Sequence, residues 1–470
     1  MTYRLNFNDI FKSYRFVSDP SKKVRLKHNT GNKIKIFPYT AKYSSNILIF
    51  KNILGEYSRI ITDSMLKEEF EVESIIENVL ADIEMSGTDE KVKLKSILQK
   101  LFIDENKEII IFHPALFNYI QVGTSEHKRI ASFLHSVLCN NDIKNQLLKM
   151  YKSEPRNVLL KLLFDSLPKL EETSEIKEEY MRYIHFVSEV FIEDLNFILS
   201  KSEFFVENFE KLIKYYYFFY VSQVAMKLDG VFNADLESSE PLYFNLDWEI
   251  TSRKRMSYDE GWSKLCRSIP NLFSHANCLE LLNHSNDENP RALSYVDIKS
   301  RIEMMNENDK MSLYYDIERL ISEYKDHIGD VDWSAFSYKK VAENQSLYDA
   351  IHKLLKVINY QFTEQSSGRK SANENYSKRF TDFCKSNFLK PRGPLGLTLN
   401  LSQEYLIFLT KLCINNEKKI RLKSLFYKLE QRGVFFDRDS KEKIVQLFQK
   451  LNLLEKKSDS GDAQYVKFIL

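Results

Sequence analysis

The sequence predicts a mainly α-helical protein whose C-terminal module ends in a small β-hairpin. Three observations carry this expectation. Gly and Pro are scarce, 12 and 10 of 470 residues, and a chain poor in turn formers but rich in Leu, Lys, Glu and Ile favours helix. Apolar residues recur at helical spacing through most of residues 66–362. Two short apolar runs flank a Gly-containing turn only near the end, at LLEKK and QYVKFIL, which is the pattern of a hairpin.

Residues 1–62 form a basic segment: residues 1–60 hold 12 Lys/Arg against 3 Asp/Glu. The strings IKIF (34–37) and NILIF (46–50), parted by Pro38 and a polar stretch, predict a small β-containing or irregular unit. Residues 63–362 read as an acidic helical body. Its helices are expected near 66–83, 90–103, 126–152, 156–166, 176–199, 204–227, 256–267, 271–283, 296–324 and 345–362. Breaks fall at 229–243 and at HSNDENP (284–290), which are rich in turn residues. No solenoid-like period is present.

The most apolar run, LIKYYYFFYVSQV (212–224), is interrupted by Lys214 and is too short to span a bilayer. It reads as a helix buried on all sides; base stacking by the aromatics of 215–220 would need an exposed basic face. Residues 363–400 read as a basic linker, because Ser, Asn, Gly and Pro cluster there. GRKS (368–371) lacks the first Gly of a phosphate-binding loop and carries Arg369 where that loop has Lys.

Residues 401–470 are the most readable part. Ser402 is a suitable N-cap, with Leu401 and Leu406 placed as a hydrophobic staple. Leu406, Leu409, Leu412 and Cys413 follow at helical spacing. IRLKSLFYKLEQRG forms a second helix closed by Gly433. Asp439 with Glu442 suggests a capping box opening a third helix. There Ile444, Leu447, Phe448 and Leu451 share an apolar face, opposite Lys443, Gln446 and Lys450. Three helices followed by a hairpin predict a winged helix, a helix-turn-helix variant.

Such a module places its last helix in the major groove and sets basic side chains against phosphate. The candidate DNA-binding residues are Lys443, Gln446, Gln449 and Lys450 for reading, with Arg438, Lys441, Lys456, Lys457 and Lys467 for phosphate. Against this, Asp459 and Asp462 at the wing tip repel phosphate, and winged helices also dock on proteins. Residues 366–470 hold 21 Lys/Arg against 11 Asp/Glu, whereas residues 61–365 hold 35 against 52. Basic ends on an acidic middle suit phosphate or an acidic partner, or simply docking of the ends on that middle. Secondary basic candidates are Lys22, Lys23, Arg25 and Lys27 near the N-terminus. Arg253, Lys254 and Arg255 lie in YFNLDWEITSRKRMSYDEGW (243–262), which otherwise reads as a connector anchored by Trp248 and Trp262.

Catalytic patterns are weak. Asp437 or Asp439 with Glu455 and Lys457 loosely matches a metal-dependent nuclease, yet those positions already suit a cap and a wing. Cys266, His275, Cys278 and His284 are metal-ligand types at a spacing unlike zinc knuckles. His185 reads as a core histidine. No cofactor motif occurs, so neither a cofactor nor a bound metal is expected. Five dispersed cysteines suit a reducing cytoplasm, and the N-terminus shows no basic stretch followed by an apolar one.

The tail from residue 420 to 470, with EPLYFNLDWE (240–249) and LFSHANCLELLN (272–283), resembles the DptG (DndG) family. This is the G component of bacterial DNA phosphorothioation-dependent restriction systems. The resemblance implies a non-catalytic subunit that joins the P-loop ATPase-like F and H components, which attack double-stranded DNA lacking the sulfur mark. It supplies no catalytic residues.

Overall fold

The computed structural model describes residues 3–42, 48–67, 70–84, 88–153, 155, 158–173, 179–286, 291–341, 346–363, 368–456 and 464–468. The protein is mainly helical, with few, short strands. Helices occupy Thr88–Phe102, Val158–Asp165, Ser202–Asp229, Leu272–Asn283 and Ser346–Thr363, close to the expected ranges, whereas Val72–Ala81 and Phe186–Leu199 start six and ten residues later than expected and 256–267 divides into Met256–Asp259 and Trp262–Ser268. Two expected helices are each split by an asparagine. Asn140 accepts from the Ile143 amide, dividing Ser125–Leu138 from Asn141–Tyr151. Asn306 accepts from the Asp309 amide and opens Glu307–Asp326 after Tyr295–Glu303. In both, a short polar side chain satisfies an N–H that would otherwise continue the preceding helix.

The chain divides into two compact units, one of residues 1–46, 180–186 and 219–470, the other of 47–179 and 187–218. The acidic stretch 63–362 is therefore shared between them. In the second unit, Phe50–Ile61 packs on Ser125–Leu138. A separate core there gathers Val72, Ile75, Ile76 and Val79 with Leu98, Phe102 and Leu163. The first unit is centred on Leu272–Asn283, buried along almost its whole length and packed by Ser346–Thr363 and Gly368–Asn387.

The apolar run at 212–224 lies inside the 28-residue helix Ser202–Asp229. Its Tyr215, Tyr216, Tyr217 and Tyr220 are fully buried, so these rings offer no surface for bases. Lys214 ion-pairs with Glu210 at 2.6 Å. No described helix is long and apolar enough to cross a membrane.

Two expectations fail. The first is the N-terminal β structure: the described residues of 1–62 contain no strand, only isolated bridges at Leu5 and Val24. Residues 34–37 are irregular, and Phe50 opens a helix. The cause is a buried carboxylate. Glu280 accepts from the backbone amides of Gly31, Asn32, Lys33 and Ile34 at 3.0–3.2 Å. Donors that a neighbouring strand would have used are thereby taken, while Ile34, Ile36 and Phe37 sink into the core.

The second is the linker. Residues 368–387 form one 20-residue helix, Gly368–Asn387, that buries Tyr376, Phe380, Phe383 and Cys384. Tyr376, Phe380 and Cys384 recur every four residues with Phe383 three beyond Phe380, a stripe concealed by the Ser and Asn around them. GRKS is the opening of this helix, and Arg369 pairs with Asp330 at 2.7 and 2.9 Å. Strands Leu389–Pro391 and Leu397–Leu401 then pair antiparallel, and Asn245–Leu246 joins the latter in parallel.

The C-terminal module follows directly. It comprises α1 (Gln403–Ile414), β1 (Lys419–Arg421), α2 (Leu422–Gln431), α3 (Arg438–Lys450), β2 (Leu454–Lys456) and β3 (Gln464–Lys467). The strands form an antiparallel sheet in the order β1-β3-β2, with Val466 opposite both Ile420 and Leu454.

Candidate nucleic-acid interface

The core of the C-terminal module is continuous. Leu406, Leu409 and Leu412 of α1, Leu425 and Leu429 of α2, Ile444 and Phe448 of α3, and Val466 of β3 are all fully buried. Ser402 caps α1 by accepting from the Tyr405 amide. Gly433 ends the α2 turn with φ +77°, and a Cβ there would lie 2.2 Å from the Phe219 ring. Both conditions demand glycine. The cap of α3 is Asp437, which accepts from the Ser440 amide at 3.1 Å. Asp439, the expected capping residue, is exposed in the first turn. Leu451 is also exposed, because α3 has ended by then and Leu453 turns inward instead.

The outward face of α3 carries Lys443, Gln446, Gln449 and Lys450, all exposed. The Lys443 ammonium donates to Gln446 Oε1 at 3.4 Å. Lys467 is exposed on β3. Two expected phosphate contacts are engaged within the protein. Arg438 pairs with Glu442 at 3.1 Å. Lys441 pairs with Glu430 at 3.1 Å and lies over the Phe426 ring, so it joins α3 to α2. Lys456 takes its place in β2 opposite Gln464, while Lys457, Asp459 and Asp462 lie outside the described residues. An open groove of about 590 Å³ runs along α3, lined by Phe436, Arg438, Lys441, Glu442, Val445, Gln446 and Gln464.

The basic triplet 253–255 is divided by the fold. Arg255 turns inward, its side chain only 10% exposed. Its guanidinium donates to both Asp437 oxygens, to Ser440 Oγ at 2.7 Å and to the Ile250 carbonyl at 3.1 Å. It also pairs with Glu249 at 3.3 Å. Ser440 Oγ in turn donates to Glu249 at 2.8 Å. Burial opposes ionisation of Asp437, but the Arg255 hydrogen bonds and charge outweigh it, together with the Ser440 and Ser257 amides. They hold this carboxyl at about 2. Arg255 is therefore a clamp on the start of α3 and is not available to phosphate. Arg253 and Lys254 remain exposed. Trp248 is 40% exposed rather than a buried anchor.

Near the N-terminus, Arg25 docks on the end of Glu307–Asp326. Its guanidinium donates to the Asp326 carbonyl and its amide to the His327 carbonyl, a favourable place for a cation. Lys22 lies 3.7 Å from Asp19; Lys23 and Lys27 are exposed. Arg4 pairs with Asp316 at 2.6 and 2.8 Å. This part of the basic end thus docks on the acidic middle.

Three further basic residues, Lys418, Arg421 and Lys423, are exposed at β1 and the start of α2. With Lys419, which pairs with Glu455 at 2.8 Å, they form the run KKIRLK, a signal present in the sequence. Tyr427, 62% exposed, lies one turn further along α2.

The metal-ligand patterns do not assemble. His275 faces Tyr295 and Asp229, His284 faces Asp9, and burial pushes the Cys278 thiol up to about 12. Asp437 is occupied by Arg255 and Glu455 by Lys419. Among the described residues, no three His, Cys, Asp or Glu side chains are placed to hold a metal ion. No protein-family model matches the chain, and no curated protein is significantly similar to it.

Proposed function

We propose that the C-terminal module is a winged helix that contacts double-stranded DNA, and that the protein is a non-catalytic subunit of a bacterial phosphorothioation-dependent restriction complex. In this reading the protein is cytoplasmic and joins the ATPase-like F and H components. The observation that carries the DNA contact is the order helix, strand, two helices and two strands, closed as a β1-β3-β2 sheet. It leaves the Lys443, Gln446, Gln449 and Lys450 face of α3 open. A third helix presented in this way suits the major groove. The placement in a restriction complex is supported by the resemblance of residues 240–249, 272–283 and 420–470 to the DptG family.

The test is the affinity of the full-length protein for a labelled duplex across a salt series. Each phosphate contact contributes about 0.9 to the slope of log K against log salt. Lys443→Ala with Lys450→Ala is expected to make the slope shallower by up to about 1.8. A slope that does not move, or wild-type protein that does not bind, refutes the DNA contact. A second reading, docking on protein, is favoured by the exposed Asp439 and Glu442 on the same helix. Under it the double variant leaves DNA retention by the assembled complex unchanged.

A further inference from the structure

We propose that the loop at 247–254 is a second contact to the same DNA, with Arg253 and Lys254 set against the phosphate strand that borders the groove occupied by α3. This rests on the DNA reading of α3. It adds a surface from a part of the chain far from that module in sequence.

The loop is held in one position by side chains that grasp its backbone. Arg392 donates to the Leu246 and Glu249 carbonyls, both at 2.9 Å. Lys390 donates to the Asp247 carbonyl at 2.8 Å, and Arg255 to that of Ile250. Arg255 also grips Asp437, the cap of α3. Lys254 and Arg253 are one and two residues away, so their Cα atoms lie within about 8 Å of the clamp.

The position of the loop relative to α3 follows from these bonds. The 13-residue α3 is about 20 Å long. Helix N-termini are a common point of contact with DNA phosphates, and the loop is fixed at that end of α3 through Asp437. Both cations point to solvent. The Arg253 guanidinium donates to the Pro394 carbonyl at 3.3 Å, and the Lys254 side chain is exposed. Because ordering has already been met within the fold, binding here loses little conformational freedom. Ile250, 92% exposed, and Trp248 stand on the same loop, and they would also suit a protein surface.

The experiment measures anisotropy of a labelled duplex of about two helical turns, with full-length protein over a salt series. It compares wild type, Arg253→Ala/Lys254→Ala, Lys443→Ala/Lys450→Ala and the combination of all four. Losing both loop contacts makes the slope shallower by about 1.8, in the wild-type and in the Lys443→Ala/Lys450→Ala background alike. Ile250→Ser is expected to leave the slope unchanged. If the wild type shows salt-sensitive binding but the loop pair leaves the slope intact, this proposal is overturned while the α3 reading stands. The loop would then belong to a protein surface. Failure of wild-type protein to bind the duplex overturns both.

Discussion

Replacing Arg255 with methionine keeps the apolar stem of the side chain but removes the guanidinium that holds the start of α3. The variant loses two hydrogen bonds to Asp437, one to Ser440, one to the Ile250 carbonyl and the ion pair with Glu249. It leaves two carboxylates with little access to water, the Glu249 side chain being 2% and that of Asp437 12% exposed. Breaking a buried pair from one side costs about 3–5 kcal/mol. The low end applies, because Glu249 keeps the Leu246 amide and Ser440 hydroxyl while Asp437 keeps the Ser440 and Ser257 amides. About 3 kcal/mol corresponds to roughly a 150-fold shift in a local opening equilibrium. Hydrogen exchange of the full-length protein, read by mass spectrometry, should show peptides from α3 and from 245–257 exchanging about 100-fold faster. Peptides from Phe50–Ile61 should not change. Adding Asp437→Asn should restore part of the protection, because asparagine still caps a helix and one orphaned charge is gone. The pH dependence has a definite sign. The folded carboxyl of Asp437 lies near 2, below its unfolded value of about 3.9. Its contribution is fully present above about pH 4 and is lost as the pH falls toward 2. In the methionine variant that acid-dependent step moves to higher pH. A change of less than about fivefold in α3 exchange, or no recovery in the double variant, would refute the clamp.

Gly433→Ala places a Cβ 2.2 Å from the Phe219 ring at φ +77°. It should cost about 2–4 kcal/mol, and an unaltered thermal midpoint would contradict this. Glu280→Gln leaves too few acceptors for the amides of 31–34, at about 1–3 kcal/mol for each buried donor orphaned. Trypsin should then cut faster at Lys33 and Lys35, and unchanged cleavage kinetics would argue against the carboxylate anchor. Burial, with the Arg369 charge, lowers His28 to about 3, whereas the unfolded imidazole titrates near 6.5. Its neutral form stabilises the fold above about pH 6.5, and that contribution declines as the pH falls toward 3. Between pH 6.5 and 5 the loss is about 2 kcal/mol, so urea midpoints at the two values should diverge less in His28→Gln than in wild type.

Much of the helical layout was legible in the chain because helix periodicity is local. Apolar residues at three- and four-residue spacing mark the buried side wherever the helix packs, which is why residues 204–227, 271–283 and 345–362 read correctly. The caps at Ser402 and Gly433 are local as well. Local pattern failed where polar residues diluted the stripe, as in Gly368–Asn387, and where one residue competed with another for a role, as Asp437 did with Asp439. The run KKIRLK was readable, but its mixture of paired Lys419 and exposed Lys418, Arg421 and Lys423 was not.

Composition and spacing by themselves determined that this chain is mainly helical, that its last 70 residues form three helices with a terminal hairpin, and which side of the third helix is polar. Only the tertiary structure decided which charges remain free. Arg255 meets Asp437 across 182 residues, and Glu280 takes the amides of a segment about 250 residues away. A charged side chain has the same appearance in sequence whether it faces water or a buried carboxylate. The partner that neutralises it is set by packing between distant elements, and no period or cap records that choice.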